Sequence, residues 1–338
     1  MPGIGARNTS KCSKAGRQSR RTAIISASIV IAIAVACLGT LPYTLGTDGQ
    51  AANAPRRIEV TDLSKSLLPP FWAPHNQAEK EQLATIEAET GSTPRPIFGT
   101  DKLGRDVFLR SLAGGGISLV VGLSAAALAI LVGTLYGSLA AGLGGRWDGL
   151  LMRIVDVLYG LPYILLVVLI GLAVDGMFQR QGTSVSPGTR QWVNVLTLWI
   201  AIGSVSWLTI ARVIRGQVLS LKAQPFMEAT RAIGVPVHRQ FLVHLLPNLL
   251  GPIIVYATLT VPMAILSESF LSFLGIGARE PLPSWGNMAA AGLSELNVVR
   301  VRWWLLLWPC LFIGVTLLTL NFLGEALRDV FDPRRRSQ

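Results

Sequence analysis

Six stretches of the chain run without charge for long enough to cross a bilayer, which takes about 20 apolar residues. They are Thr22–Thr47, Gly114–Gly145, Val157–Val174, Gln191–Ala211, Leu245–Ser267 and Trp303–Gly324. The pattern predicts an all-α polytopic membrane protein with six transmembrane helices. The first stretch follows a basic region, as a secretory signal does. It is longer than the 7–15-residue core of a signal and has no convincing small-residue cleavage site, so it reads as a retained anchor. The chain divides into a basic tail (1–21), a first span (22–41), an outer segment (42–112), a five-helix core (113–327) and a short tail (328–338).

Between the apolar stretches lie polar islands. The most structured is Pro225–Pro247, PFMEATRAIGVPVHRQFLVHLLP, within a loop over 212–247. Pro225 suits the first helical position, where its missing N–H is not needed. Glu228 falls in the positive N-terminal turn. Ala229, Thr230, Ala232 and Ile233 are compact enough for another protein to approach. Gly234 stops the helix as a C′ glycine does, and Pro236 opposes its continuation. A second short helix is expected over Val237–Leu246, at an angle to the first, before Pro247 opens span five. In the outer segment, Asn76–Glu89 favours a short exposed helix, and Phe71 and Trp72 suit a membrane interface. Thr100 or Asp101 is placed to cap a short interfacial helix within Phe98–Arg110.

The spans carry their own candidates. Gly133 and Gly137 form a small-xxx-small pair that allows close helix packing or lines a path. Gly144–Asp156 reads as a short inner turn in which Asp148 and Arg153 find partners. Pro162 should distort span three. Asp175–Arg190 reads as an outer loop. Glu268 is an acid at the edge of an apolar span, a candidate for packing or for the path. Asn321, near the inner end of span six, is placed to bond a neighbouring helix.

Composition sharpens this picture. The chain is 51% hydrophobic and 14% charged, against roughly a quarter charged in soluble domains. The net charge of +11 raises nucleic acid as a partner, but its placement excludes it. Arg7, Lys11, Lys14, Arg17, Arg20 and Arg21 precede span one without an acid. The loop from Arg212 to His244 holds five Lys/Arg against one Glu, and Arg334, Arg335 and Arg336 close the chain. With the N-terminus inside, all three regions fall on the cytoplasmic side. The basic tail before span one is expected to be disordered. Cys12, Cys37 and Cys310 are too dispersed for a disulfide framework or metal cluster; Cys37 and Cys310 read as small apolar residues in spans. No GxxxxGK[ST] loop or HExxH is present, so the chain should neither hydrolyse ATP nor act as a zinc protease. Ser267 and Ser269 lack a His or Lys neighbour to activate them. A carrier working alone needs several buried charges, and Glu268 is the one convincing case.

The Pro225–Pro247 island resembles the coupling motif of ATP-binding-cassette importer permeases, on Glu228, Ala229, Gly234, Leu246 and Pro247. Thr230 replaces the usual second Ala. His244 stands where the general motif has an aliphatic residue, and His244–Asn248 is similar to the peptide/nickel branch. Gly99, Asp101, Gly104, Arg105 and Asp106, the run LSFLGIG with Pro283, Trp285 and Gly286, and Asn321–Pro333 resemble the C-type permease subunit of oligopeptide and dipeptide importers. Glu325 stands where that family more often has Asp.

The resemblance implies the type I importer permease fold with both termini cytoplasmic. It implies a second permease, forming a heterodimer, and two ATPase subunits docked on Glu228–Gly234, with Arg231 in the docked surface. Those subunits, not this chain, would bind ATP and magnesium. An external solute-binding protein would deliver cargo across the bacterial plasma (inner) membrane. Peptides are the expected cargo, with nickel or another small solute as the alternative.

Overall fold

Val107–Leu143 forms the central helix α3 of the chain's computed structural model, which describes residues 5–47, 56–180, 187–296 and 301–331. The helices before it are α1 (Gly5–Thr44) and α2 (Gln77–Thr90). After it come α4 (Gly145–Tyr159), α5 (Tyr163–Arg180), α6 (Pro187–Lys222) and α7 (Pro225–Ala232). The run Val237–Phe273 follows as α8 (Val237–Arg239), a π-helical turn (Gln240–Leu245) and α9 (Leu246–Phe273). The last two helices are α10 (Trp285–Ser294) and α11 (Trp303–Phe331).

Among the described residues, five single helices are long and apolar enough to cross a membrane, and the bent pair α4–α5 makes six if it counts as one span. Five of the expected spans therefore fall on single helices, most of them longer than read, and span three falls on the bent pair. Apolar periodicity marks the lipid-depth part of a helix, while its polar extensions carry no such signal. The helix of span one begins at Gly5, which corrects the expectation of a disordered tail from that residue on. Met1–Ile4 and Arg334–Arg336 lie outside the described residues. The expected outer loop Asp175–Arg190 is shortened from both sides, because α5 continues to Arg180 and α6 starts at Pro187.

Small residues set the bundle's spacing. A Cβ on Gly133 would lie 2.7 Å from Ile210 Cβ and 2.9 Å from the Trp207 carbonyl oxygen. On Gly137 it would lie 2.3 Å from the carbonyl oxygen of Ala211. The backbones of α3 and α6 thus approach across these glycines, with Ala125, Ala126 and Ala140 fully buried alongside. With lipid as solvent there is no hydrophobic drive between helices, and close van der Waals contact takes its place. Gly122 does the same for α3 against Ile265 of α9. Cys37 of α1 is buried against Gly115 of α3, as its apolar character suggested; Cys310 is exposed on the outside of α11.

Three sequence readings need correction. Gly144–Asp156 is not a turn but most of α4, whose amphipathic pattern is broken from α5 by a 90° bend at Gly160–Pro162. The residue before a proline disfavours helix, so the chain turns there rather than kinking within one span. Phe98–Arg110 holds no separate interfacial helix. Gly99 and Gly104 take positive φ, and a Cβ on Gly104 would lie 1.8 Å from the Asp62 carbonyl oxygen. The cap of α3 is Asp106, which accepts from Phe108 N at 2.7 Å. Finally, Val237–Leu246 is not a separate helix, because it continues into α9. Pro247 offers no N–H to the turn before it. The helix widens to a π-turn there, and Asn248 Nδ2 donates to the His244 carbonyl at 2.7 Å.

The outer segment docks on the bundle more closely than its polarity suggests. Leu68 N donates to Thr100 Oγ1 at 2.8 Å, and Ile58 and Leu68 are fully buried. Phe98 stacks on Trp308 with centroids 3.7 Å apart, and Trp72 meets Trp303. Phe71 and Trp72 remain half-exposed, consistent with an interface. The helix expected at Asn76–Glu89 is α2, closed by a capping box between Asn76 and Glu79.

Candidate functional site

The inner-loop helix α7 is built as its residues require. Pro225 occupies its first turn, Glu228 its acidic N-terminal turn and Arg231 its basic last turn. Gly234 follows at φ 78°, and its N–H is donated to the Arg231 carbonyl. Val235 N bonds the Thr230 carbonyl, closing the end in the manner of a Schellman turn. Thr230 Oγ1 turns inward and donates to the Met227 carbonyl at 2.9 Å.

One side chain holds α7 to the bundle. Met227 is 1% exposed and sits with Ile210, Ile214 and Val218 of α6 and Leu245 and Leu249 beyond the loop. The opposite face is open. Glu228, Ala229, Arg231, Ala232 and Gly234 are exposed, with Ile233 at 80% and Val237 at 76%. Two aliphatic side chains this open, on a loop that also carries Arg231, His238 and Arg239, give the loop an exposed apolar centre with a basic rim. Leu246 is half-buried and Pro247 exposed beside it. The sequence reading named Ile233 on this face but missed Met227, whose burial has no local signal, and Val237 as part of its apolar centre.

Polar struts tie the loop to the rest of the inner side. Lys222 Nζ donates to the Ala141 and Gly142 carbonyls at 2.7 and 3.3 Å, at the C-terminal end of α3. Arg215 Nε and Nη2 donate to both carboxylate oxygens of Asp148 at 2.6 and 2.7 Å, joining α6 to α4. Asp148 therefore finds the expected partner, on α6, whereas no carboxylate pairs with Arg153 among the described residues. Arg212 reaches Asp156 at 2.8 Å.

The remaining candidates lie elsewhere. Glu268 is completely buried. It accepts from Ser272 Oγ at 2.8 Å and Ser269 Oγ at 3.3 Å, with Ser118 and Ser284 close by. These serines belong to α3, α9 and the cap of α10, so the carboxylate is buried where three elements meet. Helix α10 itself went unread; it is short, and Gly286 packs so tightly that a Cβ would lie 1.9 Å from the Ser269 carbonyl oxygen. Gly133 and Gly137 are buried in the α3–α6 contact, which supports packing over path. Asn321 is exposed on the outside of the single chain rather than turned toward a neighbouring helix.

On the outer side, Arg105 donates to Asp101 at 2.6 Å and to Glu280 at 3.1 Å, and Arg110 donates to Glu280 at 3.3 Å. Partial burial raises the Glu280 pKa, but the hydrogen bond and charge of Arg105, with the charge of Arg110, outweigh it and hold the pKa below the usual range. This pairing locks the turn before α3 to the loop before α10. Among the described residues, no three His, Cys, Asp or Glu side chains gather as a metal site.

A bundle of apolar helices with small-residue contacts is the architecture of a multi-pass membrane protein. Residues 129–337 match the family described as binding-protein-dependent transport system inner membrane component, and the chain belongs to that family of ABC importer permeases. It is 46% identical over 239 residues to the oligopeptide transport system permease protein OppC of Escherichia coli, covering 71% of this chain and 72% of that one. It is 40% identical over 271 residues to the dipeptide transport system permease protein DppC of Bacillus subtilis, covering 80% and 78%. The OppC of Haemophilus influenzae is 41% identical over 240 residues, 71% of each chain. Among solved structures, a chain of the inward-facing MetNI methionine ABC transporter matches with a TM-score of 0.51 at 16% identity, covering 67% of this chain and 97% of that one. That likeness establishes the importer permease fold.

Proposed function

We propose that this chain is one of two permease subunits of a peptide importer in the bacterial plasma (inner) membrane, driven by ATPase subunits that dock on α7. The observation that carries the reading is the open face of Glu228–Gly234 and Val237, anchored from beneath by Met227. A force on α7 passes through Met227 into α6 and the start of α9, and Lys222 and Asp148 extend the connection to α3 and α4. ATP and magnesium would act in the two partner ATPases: closing them moves the α7 lever, and the spans alternate access between the two sides. An external solute-binding protein would present the cargo on the outer side, and a second, similar permease would complete the path. The peptide names of the relatives favour di- or oligopeptides over nickel.

Gly234 tests the docking surface. A Cβ there meets nothing within 4 Å in this chain, but φ is +78°. Gly234→Ala and Gly234→Leu therefore share the same strain, about 1 kcal/mol, and differ in what they press on a partner. In the assembled complex, Gly234→Leu is expected to lower uptake at least tenfold while ATP hydrolysis continues, with Gly234→Ala near wild type. Equal uptake by the two variants, or purification without a nucleotide-hydrolysing subunit, would overturn the assignment.

A further inference from the structure

Helix α4 presents a surface that coupling through α7 leaves unused. From Asp148 to Tyr159 it runs on the order of 16 Å. Both ends nevertheless meet the same turn of α6: Asp148 binds Arg215, and Arg212 lies over the Tyr159 ring at 4.4 Å. A helix parallel to α6 would have advanced along it by that same length. Helix α4 therefore crosses α6 at the level of Arg212 and Arg215. Helix α5 instead runs antiparallel beside α6. Tyr163 lies 3.4 Å from Ser206, and further along, Gly171 shares a cavity wall with Asn194 and Thr197. With α5 antiparallel to α6, the 90° bend sets α4 across the bundle, level with Arg212 and Arg215.

The outward face of α4 has a definite pattern. Arg153, Arg146, Val157, Leu150, Ile154 and Trp147 follow one another around a strip of about 120°, and all are exposed. The arginines form one margin and the indole the other. Among the described residues neither Arg146 nor Arg153 has a carboxylate partner, whereas Arg212 and Arg215 each have one. A second permease covering this strip would have to bring a carboxylate for each of two guanidinium groups, since an unpaired buried charge costs several kcal/mol. A leaflet that is apolar inside and anionic at its surface satisfies both halves of the pattern.

We propose that α4 is an in-plane helix that seats a phosphate-bearing anionic phospholipid of the inner leaflet. Leu150, Ile154 and Val157 lie among the acyl chains. Arg146 and Arg153 hold the headgroup phosphate, whose geometry suits the guanidinium fork. Trp147 sits at the headgroup level.

The test uses the assembled transporter in nanodiscs of phosphatidylcholine containing increasing brominated phosphatidylglycerol, with tryptophan fluorescence as the readout. The brominated lipid is expected to quench a component of emission that Trp147→Phe removes. Each basic residue near an anionic surface is worth about fivefold in affinity. The Arg146→Gln/Arg153→Gln variant should therefore need about 25-fold more phosphatidylglycerol for half-quenching, and Arg146→Lys/Arg153→Lys should keep most of the preference. The proposal fails if Trp147→Phe leaves the quenching unchanged, or if wild type and the double-Gln variant titrate alike. It also fails if a cysteine at position 150 cross-links efficiently to the second permease. None of these outcomes depends on ATPase docking at α7, so this proposal and the coupling assignment stand or fall separately.

Discussion

At the scale of single residues, the glycines and one acid carry the packing. Gly137 leaves no room for a side chain against the Ala211 carbonyl, and that carbonyl belongs to a helix that cannot yield without moving α6. Gly137→Leu is expected to lower stability by about 3 kcal/mol, read as a drop in the thermal midpoint in detergent, whereas substitution at exposed Gly142, with open space around it, should be near neutral. Glu268 is buried and accepts from the hydroxyls of Ser269 and Ser272. Glu268→Ala removes the acceptor of those two buried hydroxyls, at a cost of about 3 kcal/mol, and Glu268→Gln should recover part of the loss because its amide oxygen still accepts. If Glu268→Gln folds normally but abolishes uptake, the carboxylate has a role beyond fastening helices. The spacing of Gly133 and Gly137 announced close packing. The serine cage did not announce itself, because Ser118 and Ser284 are far from Glu268 in sequence.

At the scale of elements, α7 was legible and α4 was not. Pro225, Glu228 and Gly234 act through local rules of helix ends, so their positions alone bound the helix. Its attachment depends on Met227, which has no local signature. Met227→Ala should cost about 3 kcal/mol of local packing and loosen α7, seen as faster hydrogen exchange across Pro225–Ala232 with the bundle unchanged. Helix α4 was read as a turn because its apolar residues are split between a buried face and the exposed strip. The outer turn adds a pH dependence. Glu280 has a lowered pKa in the folded chain. Its contribution is therefore present above the ordinary carboxylate pKa, about 4.3, and is lost as pH falls through the lower folded value. Hydrogen exchange in the 99–105 turn should rise on acidification across that window, and Glu280→Gln should show the fast exchange already at neutral pH.

At the scale of the whole molecule, orientation follows from charge. A cysteine at position 231, with Cys12, Cys37 and Cys310 replaced, should be labelled only from the cytoplasmic side. A cysteine at position 87 on α2 should be labelled only from outside. Labelling of position 231 from outside would reverse the topology and remove the docking surface from the compartment that holds ATP.

Apolar run length located the candidate crossings, because it depends only on transfer into lipid. Helix α7 was equally local, since proline and glycine act on their own backbone. Which helices touch, that Glu268 is buried beside serines distant in sequence, and that α4 bends 90° from α5 were decided only by the tertiary structure. Those outcomes depend on side chains distant in sequence meeting across helices, and no span carries that information by itself.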